Sequence, residues 1–153
     1  MEFLIRNAQE KDWEAVVRIM DQVHRMHVEW RPDIYKPNEN IIPKEAFEQL
    51  VEEKTLFVAE ADSIVVGMME IIFRRVETPS HVTRNILFID SMAVDEKYRG
   101  RGIGHLFFEK AKQVREEKGL DGIELQVNAR NRAAYDMYTK YGFTEKSINM
   151  ELL

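Results

Sequence analysis

Three glycines alternate with other residues in Arg99-Gly100-Arg101-Gly102-Ile103-Gly104, between an apolar segment and a helical pattern. Glycine there lets the backbone curl and approach a ligand without Cβ interference, and Arg99 and Arg101 add charge. A helix that starts at such a turn presents backbone N–H groups without intrahelical partners and the positive end of its dipole. The run suits a phosphate or pyrophosphate, held on amides up to His105. A tight strand-to-helix turn with solvated arginines satisfies the pattern equally well. No Gly-Lys-Ser/Thr follows a four-residue gap, so this is not the loop of a nucleoside triphosphatase. The spacing also misses the dinucleotide pattern, and Glu124, at a suitable distance for a ribose, falls inside a predicted strand. Asp90 is the second residue of interest, the sole ionisable group between Ile86 and Val94. A carboxylate in an apolar strand is costly unless it is partnered or used. Ser91 beside it has no histidine at a hydrolytic spacing. His24 and His27 stand three apart on a helix without a specified carboxylate partner, so they read as partly buried helix residues and no metal is expected.

These groups need a scaffold, and hydrophobic periodicity supplies one. Phe3 to Ile5 reads as a strand. Asp12 reads as an N-cap for a helix in which Trp13, Val16, Val17, Met20, Val23 and His27 recur at three-to-four spacing, ended by Pro32. After an irregular loop, Lys44 to Lys54 forms a second helix. Thr55 to Glu60 and Ile64 to Arg75 make a hairpin around a short polar turn. Val76 to Asn85 reads as a loop because of Pro79, and Ile86 to Val94 as the next strand. A helix from Ile103 stops at Gly119, Ile123 to Val127 is a strand, Asn131 to Tyr141 a helix, and Phe143 to Leu153 a final strand. The order βααβββαβαβ with one strand-helix-strand crossover predicts an α/β fold, a mixed and mostly antiparallel central sheet flanked by helices. The alternation in the crossover strand slips around Asp90 and Ser91, as a β-bulge would make it.

Composition narrows the function classes. A chain of 153 residues, 44% hydrophobic and 32% charged, is expected to form a single domain over residues 1–153. Its 22 basic and 27 acidic side chains give a net charge of -5, which disfavours nucleic acid as a partner and makes any anion site local. Without cysteine there is no thiolate nucleophile and no disulfide framework. The first residues carry no extended apolar region and no segment reaches membrane-spanning length, so a cytoplasmic protein without a membrane partner is expected.

In order along the chain, Arg99-Gly100-Arg101-Gly102-Ile103-Gly104 after "IDSMAVDEKY" resembles the Arg/Gln-x-x-Gly-x-Gly/Ala motif of the GCN5-related N-acetyltransferases (GNAT). "NARNRAAYDMYTKYGF", with Asn131, Ala134, Tyr138 and Gly142-Phe143, resembles their second motif. Two such motifs in the right order are far more specific than either alone. The resemblance implies the GNAT fold, with acetyl-CoA as co-substrate and its pyrophosphate on Arg99, Gly100, Arg101, Gly102, Ile103, Gly104 and His105. Two central strands would splay at the bulge, and the pantetheine arm would pair with backbone at Met92 and Val94 and meet Asn131, which is otherwise a plain N-cap. Tyr138 matches the family's general acid, and Asp90 occupies the place of an acidic base, used directly or through water. The reaction implied is N-acetyl transfer from the thioester to a primary amine. The acceptor is either a small cationic amine, such as a polyamine or aminoglycoside, or a protein or peptide amine. Glu29, Trp30, Asp33 and Tyr35 are the candidates to hold it, by charge and by aromatic packing. The family likeness also suggests a homodimer, with the final strand as an edge. A non-catalytic acyl-CoA-binding or sensor module is the alternative, to which the retention of Asp90 and Tyr138 is opposed.

Overall fold

The computed structural model describes the whole chain, Met1–Leu153. Its strands are β1 (Leu4–Asn7), β2 (Leu56–Ala61), β3 (Ile64–Thr78), β4 (His81–Val94) and β5 (Gly122–Leu125). Its helices are α1 (Trp13–Trp30), α2 (Lys44–Glu53), α3 (Ile103–Lys118) and α4 (Arg132–Tyr141), with short 3-10 turns at Glu10–Asp12 and Glu96–Tyr98. The strands form one sheet in the order β1-β2-β3-β4-β5. All pairs are antiparallel except β4 with β5, which the α3 crossover makes parallel.

Each face of the sheet buries one set of helices. Alternate residues Phe57, Met69, Ile71, Leu87 and Ile89 pack against Ile103, Phe107, Phe108 and Ala111 of α3. On the other face Leu56, Val58, Met68 and Ala93 meet Val16 and Ile19 of α1 and Phe47 of α2. Phe47 and Phe107 are both fully buried, and each contributes about 2–3 kcal/mol of transfer free energy.

Local chemistry accounts for the element ends. Asp62 and Ser63, at φ +49° and +66°, make the two-residue turn whose twist matches a β2–β3 hairpin. Helix α1 ends at Trp30, just before Pro32. Asp12 stands at the N-cap of α1 but does not bond to that helix. Its buried carboxylate instead accepts from the Arg6 guanidinium at 2.7 and 3.0 Å and from the Gln9 amide at 2.8 Å. The net result is a carboxyl held below its ordinary pKa: burial pushes upward, and the Arg6 and Gln9 hydrogen bonds outweigh it.

Two expectations fail. Residues 76–85 are not a loop: β3 and β4 pair out to Thr78 and His81, and Pro79 and Ser80 form the turn between them. Proline breaks a ladder only where its N–H is needed, and in the turn it is not. The tail Phe143–Leu153 carries the alternation of a strand but forms no ladder in the structure. Phe143 is drawn into an aromatic cluster with Phe108, Tyr138 and Tyr141. The residues after it are held by side chains, through Tyr135 to Glu145, Lys146 to Glu124, and Arg31 to Glu151.

Candidate active site

The β4–β5 ladder runs from Ile86 opposite Gly122 to Ile89 opposite Leu125 and stops. Strand β4 continues to Val94, whereas the chain after Leu125 departs through Gln126, Val127 and Asn128. Between them opens a cleft of about 260 Å³, lined by Asp90 to Ala93, Leu125 to Asn128, Asn131 and Tyr138, and closed on the other side by Met20, Val23, His24 and His27 of α1.

The bulge lies where the sequence placed it. Glu70 is opposite Ser91 and Ile71 opposite Ile89, so Asp90 has no partner residue on β3 and its side chain reaches the cleft. Beside it stands a residue that the sequence reading missed. Glu70 lies between Met69 and Ile71, which both face α3, so the pleat turns it to the α1 face. There it meets Asp90. Burial, then the Asp90 charge, then a hydrogen bond between the two carboxyls push Glu70 up to about 7. The signal existed, because Glu70 is the sole ionisable residue from Ile64 to Phe73, as Asp90 is on its own strand. Only the pairing register brings the two together.

Tyr138, half-buried on α4, enters the same cleft. Its ring packs edge-on against Phe108 and Phe143, with centroids 5.8 and 5.9 Å apart. Burial raises its pKa, so the phenol keeps its proton at neutral pH. Asn131 lines the cleft and caps α4, its side-chain oxygen accepting from the Ala134 amide at 3.1 Å. That oxygen is committed to the helix, which leaves the carboxamide N–H₂ to face a ligand.

At the other end of β4 lies the glycine turn. Gly100 and Gly102 take φ of +77° and +86°, a region that other residues enter only with strain. The first helical amide bond of α3 runs from Leu106 to the Gly102 carbonyl. The amides of Gly102, Ile103, Gly104 and His105 are therefore left for another acceptor. Gly104 has a second reason to lack a side chain, since a Cβ would stand 2.9 Å from the Met137 sulfur of α4. The arginines divide. Arg101 lies over the Tyr98 ring, 5.1 Å from its centroid, whereas Arg99 turns back and donates through Nε to the Val94 carbonyl at 3.1 Å. The turn is anchored by Asp95, buried just after β4, which accepts from Arg18 of α1 at 2.6 Å and from the Lys97 amide at 3.2 Å.

The four acceptor candidates do not line the cleft. Glu29 and Asp33 are exposed, and Asp33 is held by Arg31 at 2.7 and 2.9 Å. Trp30 and Tyr35 pack instead on His27, Tyr35 nearly parallel at 5.1 Å and Trp30 edge-on at 5.6 Å. Their part is to back the wall that His24 and His27 present. The His24 Nε2–H donates to the Lys36 carbonyl at 2.7 Å and ties the loop after α1 to the helix. His27 is pushed down by burial and by His24, and so faces the cleft neutral.

The chain and its fold are similar to those of known proteins. The sequence model of the acetyltransferase (GNAT) family matches residues 20–143. The uncharacterized N-acetyltransferase CT2212 of Chlorobaculum tepidum is 30% identical over 78% of this chain and 64% of that protein. The crystal structure of a mutant BH1408 protein from Bacillus halodurans is 30% identical and superposes with a TM-score of 0.94 over 98% of both chains. The aminoglycoside acetyltransferase AAC(6')-Iy, in complex with a bisubstrate analogue of CoA and acetylneamine, shares the fold, with a TM-score of 0.77 at 16% identity over 100% of this chain and 98% of that one. Matches to three curated relatives span 29%, 64% and 52% of those proteins' lengths.

Proposed function

Since this chain belongs to the GNAT family of acetyltransferases, we propose that it moves the acetyl group of acetyl-CoA to a primary amine of a small molecule by direct attack. The observation that carries the reading is the gap between β4 and β5, with unpaired amides of a glycine turn at one end and Asp90 and Tyr138 on its walls. The CoA-containing complex of a protein of the same fold supports the donor, and its aminoglycoside acceptor supports a small-molecule amine.

The residues fit the donor. The amides from Gly102 to His105 and the Arg101 guanidinium offer a pyrophosphate donors and charge, and the left-handed Gly102 lets it approach closely. Arg99 steadies the turn through its Nε bond to Val94 and keeps its two terminal N–H₂ groups for the anion. Met92 presents free backbone to the arm on the open edge of β4, and Asn131 offers its N–H₂. Acetyl-CoA supplies an acyl carbon activated as a thioester.

Two proton transfers fall to the side chains. An amine of pKa near 10.4 must lose a proton before attack, which costs on the order of 4 kcal/mol at neutral pH. Asp90 takes that proton directly or through a water, and Glu70 behind it extends the base: at a pH near 7 the pair accepts a proton without strong resistance. As the new C–N bond forms and the C–S bond breaks, Tyr138 gives its proton to the sulfur. A backbone N–H at the bulge meets the charge that develops on the carbonyl oxygen.

The test is release of free thiol from acetyl-CoA with a panel of amines, beside calorimetric titration of CoA. Release that depends on an amine supports the transferase. Tight CoA binding without release for any amine points to the non-catalytic acyl-CoA-binding module, and no CoA binding overturns the reading of the glycine turn.

A further inference from the structure

The acceptor half of the cleft is nearly uncharged. Its wall from α1 consists of Met20, Val23, His24 and His27, with Ile41 from the following loop and Met68 from the sheet. Asp90 is the sole carboxylate among the lining residues. Glu70 adds no second position for a cation, because it lies behind Asp90 across the β3–β4 ladder and is not among the residues that line the cleft. Glu29 of α1 and Asp33 and Glu39 of the following loop do not serve either, since Asp33 is paired with Arg31 and Glu29 and Glu39 are exposed and outside the lining. Behind the wall, the stacked Tyr35 and edge-on Trp30 fix the His27 ring, and the Lys36 carbonyl fixes His24. The wall is thus a rigid apolar and aromatic surface with one acidic point at its end.

We propose that the acceptor is a monoamine carried on one apolar or aromatic body, which lies against Met20, Val23, His27 and Ile41 while its amine reaches Asp90, and that polycations are poor acceptors. This rests on the transferase reading above. The physical reason is charge pairing: a second ammonium on the ligand would meet apolar side chains and find no second carboxylate among the lining residues. The body of an arylalkylamine or alkylamine finds apolar side chains and a neutral imidazole face instead.

The experiment compares kcat/KM by thiol release for 2-phenylethylamine, hexylamine, spermidine, kanamycin and a short peptide with a free α-amine, using the intact chain and saturating acetyl-CoA. The expected result is a preference of at least about 100-fold for the two monoamines over spermidine and kanamycin. Val23→Asp, which places a second carboxylate on the wall, should narrow that preference at least about tenfold and leave CoA affinity unchanged. Spermidine, kanamycin or the peptide turned over as well as the monoamines overturns the inference and leaves the transferase standing. Release with none of the amines, while CoA titrates normally, overturns both. If Val23→Asp does not fold, Ile41→Asp makes the same comparison from the loop that follows α1.

Discussion

Glu70 titrates beside the Asp90 side chain, and this fixes what a pH profile should report. Glu70 lies near 7 because burial, the Asp90 charge and their hydrogen bond favour its protonated form. If the pair is the base, kcat/KM should rise with pH through about 7. Glu70→Gln should move that limb to lower pH, whereas Asp90→Asn should abolish it and lower the rate about 100-fold. An unmoved limb in both variants removes the pair from the reaction. Stability supplies an independent check with the opposite sense. A folded pKa raised above the free value of 4.5 means that the contribution of Glu70 is fully present below about pH 4.5 and lost as pH rises through about 7. Glu70→Gln should therefore be more stable than the parent at pH 8, by about 1 kcal/mol because half-burial leaves the charge partly screened, and should lose that advantage at pH 4. Urea unfolding at the two pH values measures it. For Tyr138, removal of one oxygen is the cleanest change. Tyr138→Phe keeps the contacts with Phe108 and Phe143, so kcat should fall about 100-fold with CoA affinity within a few fold, and unchanged turnover excludes Tyr138 as the acid.

Between the residues and the cleft stand the elements that aim them. Strand β4 delivers both ends of the site, Asp90 at its bulge and the glycine turn beyond its last residue. Gly102→Ala should cost about 1–2 kcal/mol of stability, because a Cβ at φ +86° is strained, and should weaken CoA binding in calorimetry together with it. Helix α1 is locked to the same end of β4 through Arg18 and Asp95. Burial by itself would raise the Asp95 pKa, and the bonds from Arg18, Lys97 and Gln22 bring the net shift below the ordinary value. Such a group stabilises above the ordinary carboxylate range and loses its contribution as pH falls through its folded pKa. Asp95→Asn should cost about 1–3 kcal/mol at pH 7, less than a fully buried pair because Arg18 is 49% exposed, and much less at pH 3. Equal penalties at both pH values would make its role one of packing.

Across the whole molecule, charge and surface say where partners meet it. No helix is long and apolar enough to cross a membrane. The tail leaves Ile148, Met150 and Leu152 exposed at alternate positions, the last completely. We propose that this stripe is covered by a second copy in the expected homodimer. Sedimentation velocity should show a dimer at micromolar concentration that Met150→Lys with Leu152→Lys dissociates, and a monomer at every concentration removes it. The glycine turn, Asp90 at a slip in the alternation, and Tyr138 after Asn131 were readable from the chain, because a turn, a bulge and a helix register are local and leave a mark on residue order. The helices and most strands were readable for the same reason, through their periods. Glu70 was not, since its meaning depends on the residue across the hairpin. Nor was the α1 wall of the cleft: Glu29 and Asp33 have the charge to suit a cation, yet folding turned them to solvent and arginine and brought His24 and His27 to the cleft instead. The strand expected at residues 143–153 does not form either: side-chain contacts with Glu124, Tyr135 and Arg31, not a ladder, hold that segment. The sequence by itself determined which segments are helix, turn and bulge, because those follow from contacts a few residues apart, and its two motifs in order carried the resemblance to the family. Only the tertiary structure decided which carboxylates meet, which histidines face the cleft and how little charge it holds, because those depend on strand pairing and on burial that no local pattern encodes.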